Sequence, residues 1–124
     1  MGTDFEPHRE DVRKVWSLVI AESLTREEAH GWSARWVEGD GPDVADMMVR
    51  RGLQYIHGYD LRSESGAYAV GVPEIKNDLE RWIGDCESYD RDPGEWVRVH
   101  LEIARRFASG ESRRNAQPPG PATS

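Results

Sequence analysis

The sequence predicts an all-α protein, a compact bundle of about five helices, and three observations carry this prediction. Apolar residues recur at helical spacing in five separate segments. Helix-capping patterns precede two of these segments, at residues 25–28 and 92–95. The stretch from 60 to 72 has no helical period, and one short extended segment cannot form a sheet by itself.

The first two helices are predicted from Pro7 to about Leu24 and from Thr25 onward. Thr25 and Glu28 are typical of a capping box, in which each side chain accepts one backbone N–H at the helix start. The residues Gly39-Asp40-Gly41-Pro42 then end the second helix, and so short a link favours an antiparallel neighbour. The apolar stripes of these helices are Val12, Val15, Trp16, Val19 and Ile20, then Ala29, Trp32, Ser33, Trp36 and Val37.

The stretch from Asp43 to Asp60 is predicted as the central helix around which the others pack. Gly52 lies inside its apolar face, where glycine costs up to about 1 kcal/mol relative to alanine. We therefore expect a neighbouring helix to approach closely at Gly52. Leu53 points away from this face and is expected to meet a second neighbour or to be partly exposed. The face comprises Val44, Met48, Gly52, Tyr55 and Tyr59, widened by Ala45 and Ile56.

The last two helices are predicted to begin at Pro73 and at Pro93, the latter behind an Asp92 cap. The domain is expected to span residues 1–110. Residues 111–124 are rich in Pro, Gly, Ser and Arg without an apolar anchor, which predicts a disordered tail. The stripes and the helix periods together predict that nine side chains are largely buried: Trp16, Trp36, Met48, Tyr55, Leu79, Trp82, Trp96, Ile103 and Phe107.

Composition restricts the class of protein. The formal net charge of −7 argues against nucleic acid or an anionic membrane as a partner, because both favour basic surfaces. Cys86 is the single cysteine, so no disulfide can form within the chain, and a reducing cytoplasm is expected. No apolar run approaches the roughly 20 residues that cross a membrane. Fourteen Arg against two Lys indicate a GC-rich bacterial genome.

No catalytic motif is found, which favours a non-enzymatic protein without a cofactor. The sequence lacks GxSxG, a P-loop and GxGxxG. The four histidines, His8, His30, His57 and His100, come from separate elements without metal-ligand spacing, so no metal site is predicted. The first two helices suggest a DNA-binding helix-turn-helix, but residues 1–38 hold eight acids against five bases, which argues against this interpretation.

Four carboxylates keep an enzymatic alternative open. All-α nucleotide pyrophosphohydrolases bind magnesium through ExxE followed by ExxD, and the pair Glu87 and Asp90 matches the second half. Asp43 and Asp46 have the spacing of the first half with side chains one methylene shorter. The alternative function is therefore a metal-dependent nucleotide hydrolase.

Acidic residues are concentrated on the fourth helix, where residues 73–95 hold eight acids against three bases. This acidic flank is either a solvated surface or a docking surface for a basic protein, which electrostatic attraction would steer onto it. Its acids are predicted to be exposed. The acidic flank comprises Glu74, Asp78 and Asp85, with Arg81 among them and Tyr89 at its edge.

The segment ESLTREEA at 22–29, followed by Trp32 and Trp36, resembles the start of the second helix in small helical immunity proteins of the colicin D/pyocin type. The stretches RGLQYIHGYDL and PEIKNDLERW are similar to single-domain proteins of actinobacteria. The resemblance implies an acidic bundle that occludes a basic ribonuclease toxin, and it transfers no individual functional residue. A further alternative is a structural homodimer, which would show an exposed Trp or Tyr patch.

Overall fold

The computed structural model describes residues 6–38 and 43–116, with side chains through 109, and these residues form five helices. Within this part of the chain there is no strand, only an isolated bridge between Arg62 and Tyr68. The all-α prediction is confirmed. No helix in the described ranges is long and apolar enough to cross a membrane. The helices are α1 Arg9–Ile20, α2 Arg26–Val37, α3 Met47–His57, α4 Val72–Arg91 and α5 Pro93–Ala116.

Local capping sets where α2 begins, as the sequence predicts. The Thr25 hydroxyl accepts the Glu28 N–H at 3.0 Å, and the Glu28 carboxylate accepts the Thr25 N–H at 2.9 Å. Helix α5 likewise begins at Pro93, with Asp92 accepting a backbone N–H at 3.1 Å. These helix N-termini are determined by residues close together in the chain, so they can be predicted from the sequence.

Helix α3 begins four residues later than predicted, at Met47 instead of Asp43. Asp46 has an extended backbone, with φ −78° and ψ 116°, and its carboxylate accepts the Met48 N–H at 2.8 Å. Asp46 is thus the N-cap. The predicted turn at 39–42 lies outside the described residues.

Two units divide the chain, residues 1–86 (the first unit) and 87–124 (the second unit), and the division falls within α4. Helix α5 continues to Ala116, beyond the predicted start of the tail at 111. Residues 117–124 lie outside the described part of the chain. The single domain ending at 110 stays a prediction.

Two tryptophans form the centre of the first unit. Trp16 and Trp82 are 0% and 2% exposed, and their rings lie 5.4 Å apart. The Trp16 indole N–H donates to the Ile75 carbonyl at 3.2 Å, which joins α1 to α4. The Trp82 indole N–H donates to the Met48 carbonyl at 2.8 Å, which joins α4 to α3. Both buried donors are therefore satisfied, and both fix the positions of helices.

The predicted close approach at Gly52 is confirmed. A Cβ atom at this position would lie 2.6 Å from the Val12 Cγ1 atom and 3.1 Å from the Trp82 ring, so α1 and α4 both meet α3 there. Leu53 is 1% exposed, so it meets a second neighbour. Helix α3 is consequently buried over a wider arc than its predicted face.

The segment between α3 and α4, which has no helical period in the sequence, packs on the start of α2. The guanidinium groups of Arg26 and Arg62 each lie over the Tyr68 ring, 4.1 Å from its centroid. The Tyr68 hydroxyl donates to the Glu27 carboxylate at 2.9 Å. Tyr68 thus contacts both arginines and Glu27, and the loop is also joined to α2 by hydrogen bonds from Arg26 to the Val70 carbonyl and from Arg62 to Glu27.

The core predictions are confirmed for five of the nine residues and wrong for two in α5. Ile103 and Phe107 are 54% and 66% exposed. Helical spacing identifies a face, but burial also requires another element over that face. Tyr55 and Trp36 are half-buried. The five buried residues are Trp16, Met48, Leu79, Trp82 and Trp96.

Replacing Gly52 with alanine should lower the free energy of unfolding by about 1–3 kcal/mol, because the added methyl overpacks the contact with Val12 and Trp82. Gly84 is the matched control: it lies in α4 with open space around it, so Gly84→Ala should raise stability by up to about 1 kcal/mol. Urea denaturation followed by tryptophan fluorescence measures both. Stabilisation by both substitutions would contradict the packing assigned to Gly52.

Candidate functional site

The acidic flank serves the fold of the first unit at two of its positions. The Tyr59 hydroxyl donates to Asp78 at 2.7 Å, and Arg51 pairs with Asp85 at 3.4 Å. The side chains of Asp78 and Asp85 are 21% and 19% exposed, so the expectation that all three acids are exposed is wrong. That the flank contacts a partner stays a prediction. It lies along α4 at Glu74, Asp78, Arg81, Asp85 and Tyr89.

The structure does not support a shared metal site for the four carboxylates of the hydrolase alternative. Asp46 caps α3 and pairs with Arg9 at 2.8 Å. Partial burial opposes ionisation of Asp46, but hydrogen bonds from Arg9 and the backbone lower its pKa below the ordinary value. Asp43 is exposed before α3, and the pair at 87 and 90 belongs to the second unit. Among described residues, the group suited to a metal ion contains none of the four.

That group comprises His30 within α2, Glu38 directly after α2 and His57 at the last position of α3, and we call it the histidine cluster. The His57 Nε2 atom lies 2.6 Å from a Glu38 oxygen, and the His30 Nε2 atom lies 3.4 Å from the same oxygen. The two imidazole rings are stacked, with centroids 4.1 Å apart. The fold thus brings together two histidines that the sequence analysis assigned to separate elements.

The cluster has a defined electrostatic environment. The His30 Nδ1 atom lies 2.8 Å from the His57 carbonyl oxygen and 3.2 Å from an Asp60 oxygen. The hydrogen bond to this carbonyl, followed by the Asp60 and Glu38 carboxylates, raises the pKa of His30 against the effect of burial. The hydrogen bond from His57 lowers the pKa of Glu38. The cluster therefore favours a positive charge beside the Glu38 carboxylate.

The outer surface of α3, with Arg50, Arg51, Gln54 and Tyr55, is the second candidate site. Helix α3 contains no acidic residue, whereas α4 contains six. Arg50 and Gln54 are exposed and lie one turn apart. Arg51, Gln54 and Tyr55 line an open cavity of about 270 Å³. The absence of acidic residues can be read from the sequence MMVRRGLQYIH, but the net charge of the whole chain does not reveal it.

Fold and surface together define a small all-α module in which one acid-free helix, α3, carries Arg50 and Gln54 at its exposed surface. A family model described as YxzC DNA-binding protein matches residues 2–86, and the chain belongs to that family. The match ends where the first unit ends. Helix α5 therefore lies beyond the matched segment.

A second similarity is to argininosuccinate lyase from Geotalea daltonii. The identity is 25% over 101 residues, which covers 78% of this chain and 22% of the enzyme. The chain thus spans about a fifth of the lyase, and the activity of that enzyme is not transferred to it. No solved structure matches the chain.

The family assignment overturns the immunity-protein interpretation. A capping box followed by tryptophans at helical spacing occurs in any well-capped amphipathic helix, so segment 22–36 does not identify a family. The basic protein partner and the exclusion of nucleic acid are wrong as well, because the matching family is described as DNA-binding. Net charge is a sum over the whole chain, whereas DNA contacts a local surface.

Neither alternative fits the family. The hydrolase carboxylates do not form a metal-binding group in the described residues. The homodimer alternative required an exposed Trp or Tyr patch, but the exposed large apolar residues in the described ranges are all of other types. They are Leu61, Leu101, Ile103 and Phe107.

Substituting Asp78 with alanine should cost about 1–3 kcal/mol, because the hydroxyl of Tyr59 would lose its acceptor while that residue is 3% exposed. Burial, with the hydrogen bond to Asp78, also raises the pKa of Tyr59 far above its ordinary value, so the phenol remains a donor. Glu80→Ala, at an exposed site on the same helix, should change stability by less than about 0.5 kcal/mol. Thermal unfolding of both variants at pH 7 makes the comparison. A loss with Asp78→Ala that persists undiminished in the Tyr59→Phe background would exclude this hydrogen bond as the cause.

Proposed function

We propose that this chain binds double-stranded DNA through its first unit, with the outer surface of α3 as the contact surface. The observation that carries the proposal is the match of residues 2–86 to a DNA-binding family, over the span of one structural unit. In the bacterium that the arginine-rich composition indicates, DNA binding corresponds to a cytoplasmic protein.

Helix α3 has the chemistry that base and phosphate contacts require. An α-helix fits the major groove, where arginine pairs with guanine or with a phosphate and glutamine pairs with adenine. Arg50 and Gln54 are exposed one turn apart, so both reach the same stretch of groove. The buried side of α3 packs at Met48, Gly52 and Ile56, and this packing keeps the exposed side in a fixed orientation.

The charge distribution determines how such binding must work. Residues 1–86 hold seventeen acids and ten bases, so the first unit as a whole repels DNA at long range. Binding therefore depends on a few short-range contacts from exposed α3 side chains such as Arg50 and Gln54, since Arg51 is paired with Asp85 of α4. Because each phosphate contact contributes about 0.9 to the slope of log K against log salt, we expect a shallow salt dependence.

The test is fluorescence anisotropy of the full-length protein with labelled duplexes, first a random-sequence pool at low salt and then the sequence selected from it. We expect Arg50→Ala to weaken binding about 5- to 150-fold, the range for loss of one bidentate contact. If Arg50 contacts a phosphate, the salt slope falls by about 0.9, and if it contacts a base, the slope is unchanged. Gln54→Ala should relax the sequence preference without changing the slope.

The matched control is Arg105→Ala, which removes an exposed arginine from α5, outside the family-matched segment. It should bind as the wild type does. Equal losses in Arg50→Ala and Arg105→Ala would move the contact surface away from α3. Absence of binding to every duplex at low salt would overturn the proposed function itself.

A further inference from the structure

The histidine cluster has the arrangement of a metal-binding site. One ligand atom each from His30, Glu38 and His57 lies within 4.8 Å of the other two. The residues come from two different helices and the residue that follows the first of them, so the fold brings them together. We propose that these three side chains bind one divalent transition-metal ion, with zinc as the ion that the donor set fits best.

The orientation of His30 supports this assignment. Its Nδ1–H donates to the His57 carbonyl at 2.8 Å, which leaves the Nε2 lone pair of the neutral ring facing Glu38 at 3.4 Å. A metal ion bound between this lone pair and the Glu38 oxygen would take the place that the Nε2 proton occupies in the imidazolium form. Metal-binding histidines commonly donate their other ring N–H to a carbonyl or a carboxylate, and His30 has the carbonyl together with Asp60 at 3.2 Å.

The donor set selects the class of ion. Two imidazole nitrogens and one carboxylate suit zinc, whereas magnesium and calcium prefer oxygen ligands throughout. Tetrahedral zinc with bonds of about 2.0–2.2 Å places its ligand atoms about 3.3–3.6 Å apart. The separation of 3.4 Å between His30 and Glu38 meets this requirement. The 2.6 Å contact between His57 and Glu38 is a hydrogen bond that the ion would replace.

The position of the site means that a bound ion would join α2 to the end of α3. Glu38 follows the last residue of α2, and His57 is the last residue of α3. The ion would have three protein ligands and a fourth position for water, which is the coordination of an open zinc site and not of a closed structural one. The inference depends on this geometry alone and stands apart from the DNA contact proposed for α3.

The experiment uses full-length protein stripped of metal with a chelator and then titrated with Co²⁺ and with Zn²⁺. We expect one ion per chain, the visible absorption of tetrahedral Co²⁺, its displacement by Zn²⁺, and a higher melting temperature with Zn²⁺. His30→Ala and Glu38→Gln should each weaken Zn²⁺ binding by more than about 100-fold, beyond the effect of losing an outer-shell partner. His100→Ala is the matched control, since His100 stacks on Trp96 in the second unit, and its affinity should equal that of the wild type.

Three results would overturn the proposal. The first is a Zn²⁺ dissociation constant weaker than about 1 mM for the wild type. The second is equal affinity in wild type and Glu38→Gln, a variant expected to fold because the Glu38 side chain is 54% exposed. The third is binding of Mg²⁺ at this site as tightly as Zn²⁺, which would indicate an ordinary carboxylate contact. Circular dichroism shows whether His30→Ala is folded, and the Glu38→Gln variant decides the matter if it is not.

Discussion

The first unit depends on a glycine that lets three helices meet. Gly52 has no side chain, so Val12 of α1 and the ring of Trp82 of α4 occupy the space beside the α3 backbone that a Cβ atom would fill. The Trp82 N–H then reaches the Met48 carbonyl, one turn before Gly52. This hydrogen bond and the two packing contacts set the rotation of α3 about its own axis. The exposed side of α3 and the position of His57 at its end are fixed as a result.

The sequence predicts those features that residues close in the chain determine. The Thr25–Glu28 box, the start of α5 at Pro93 and the burial of Trp82 all follow from capping chemistry or helical period. Features that depend on which elements pack together were missed or predicted wrongly. Phe107 occupies an apolar position and is exposed, and His30 lies 27 residues from His57 in the chain yet stacks on it.

The charge of the chain likewise has to be considered locally before function is inferred from it. A net charge of −7 describes the average field of the chain, and all the acidic residues that produce it lie outside α3. Arg50, Gln54 and their neighbours occupy a helix without carboxylates, and this is the local property that groove contacts require. The net charge of the whole chain was therefore the wrong quantity from which to exclude nucleic acid as a partner, because binding depends on the charge of one local surface. Charge counted helix by helix separates α3 from α4 directly.

The loop between α3 and α4 is expected to open locally, and Tyr68 makes several of the contacts that oppose opening. Tyr68 lies under two guanidinium groups and donates its hydroxyl to Glu27, while most of residues 61–70 are exposed. Few other buried contacts oppose local opening, so this segment belongs to the low-stability end of the unit. The access of a protease to the loop then reports how often Tyr68 leaves α2, not how often the tryptophan core unfolds.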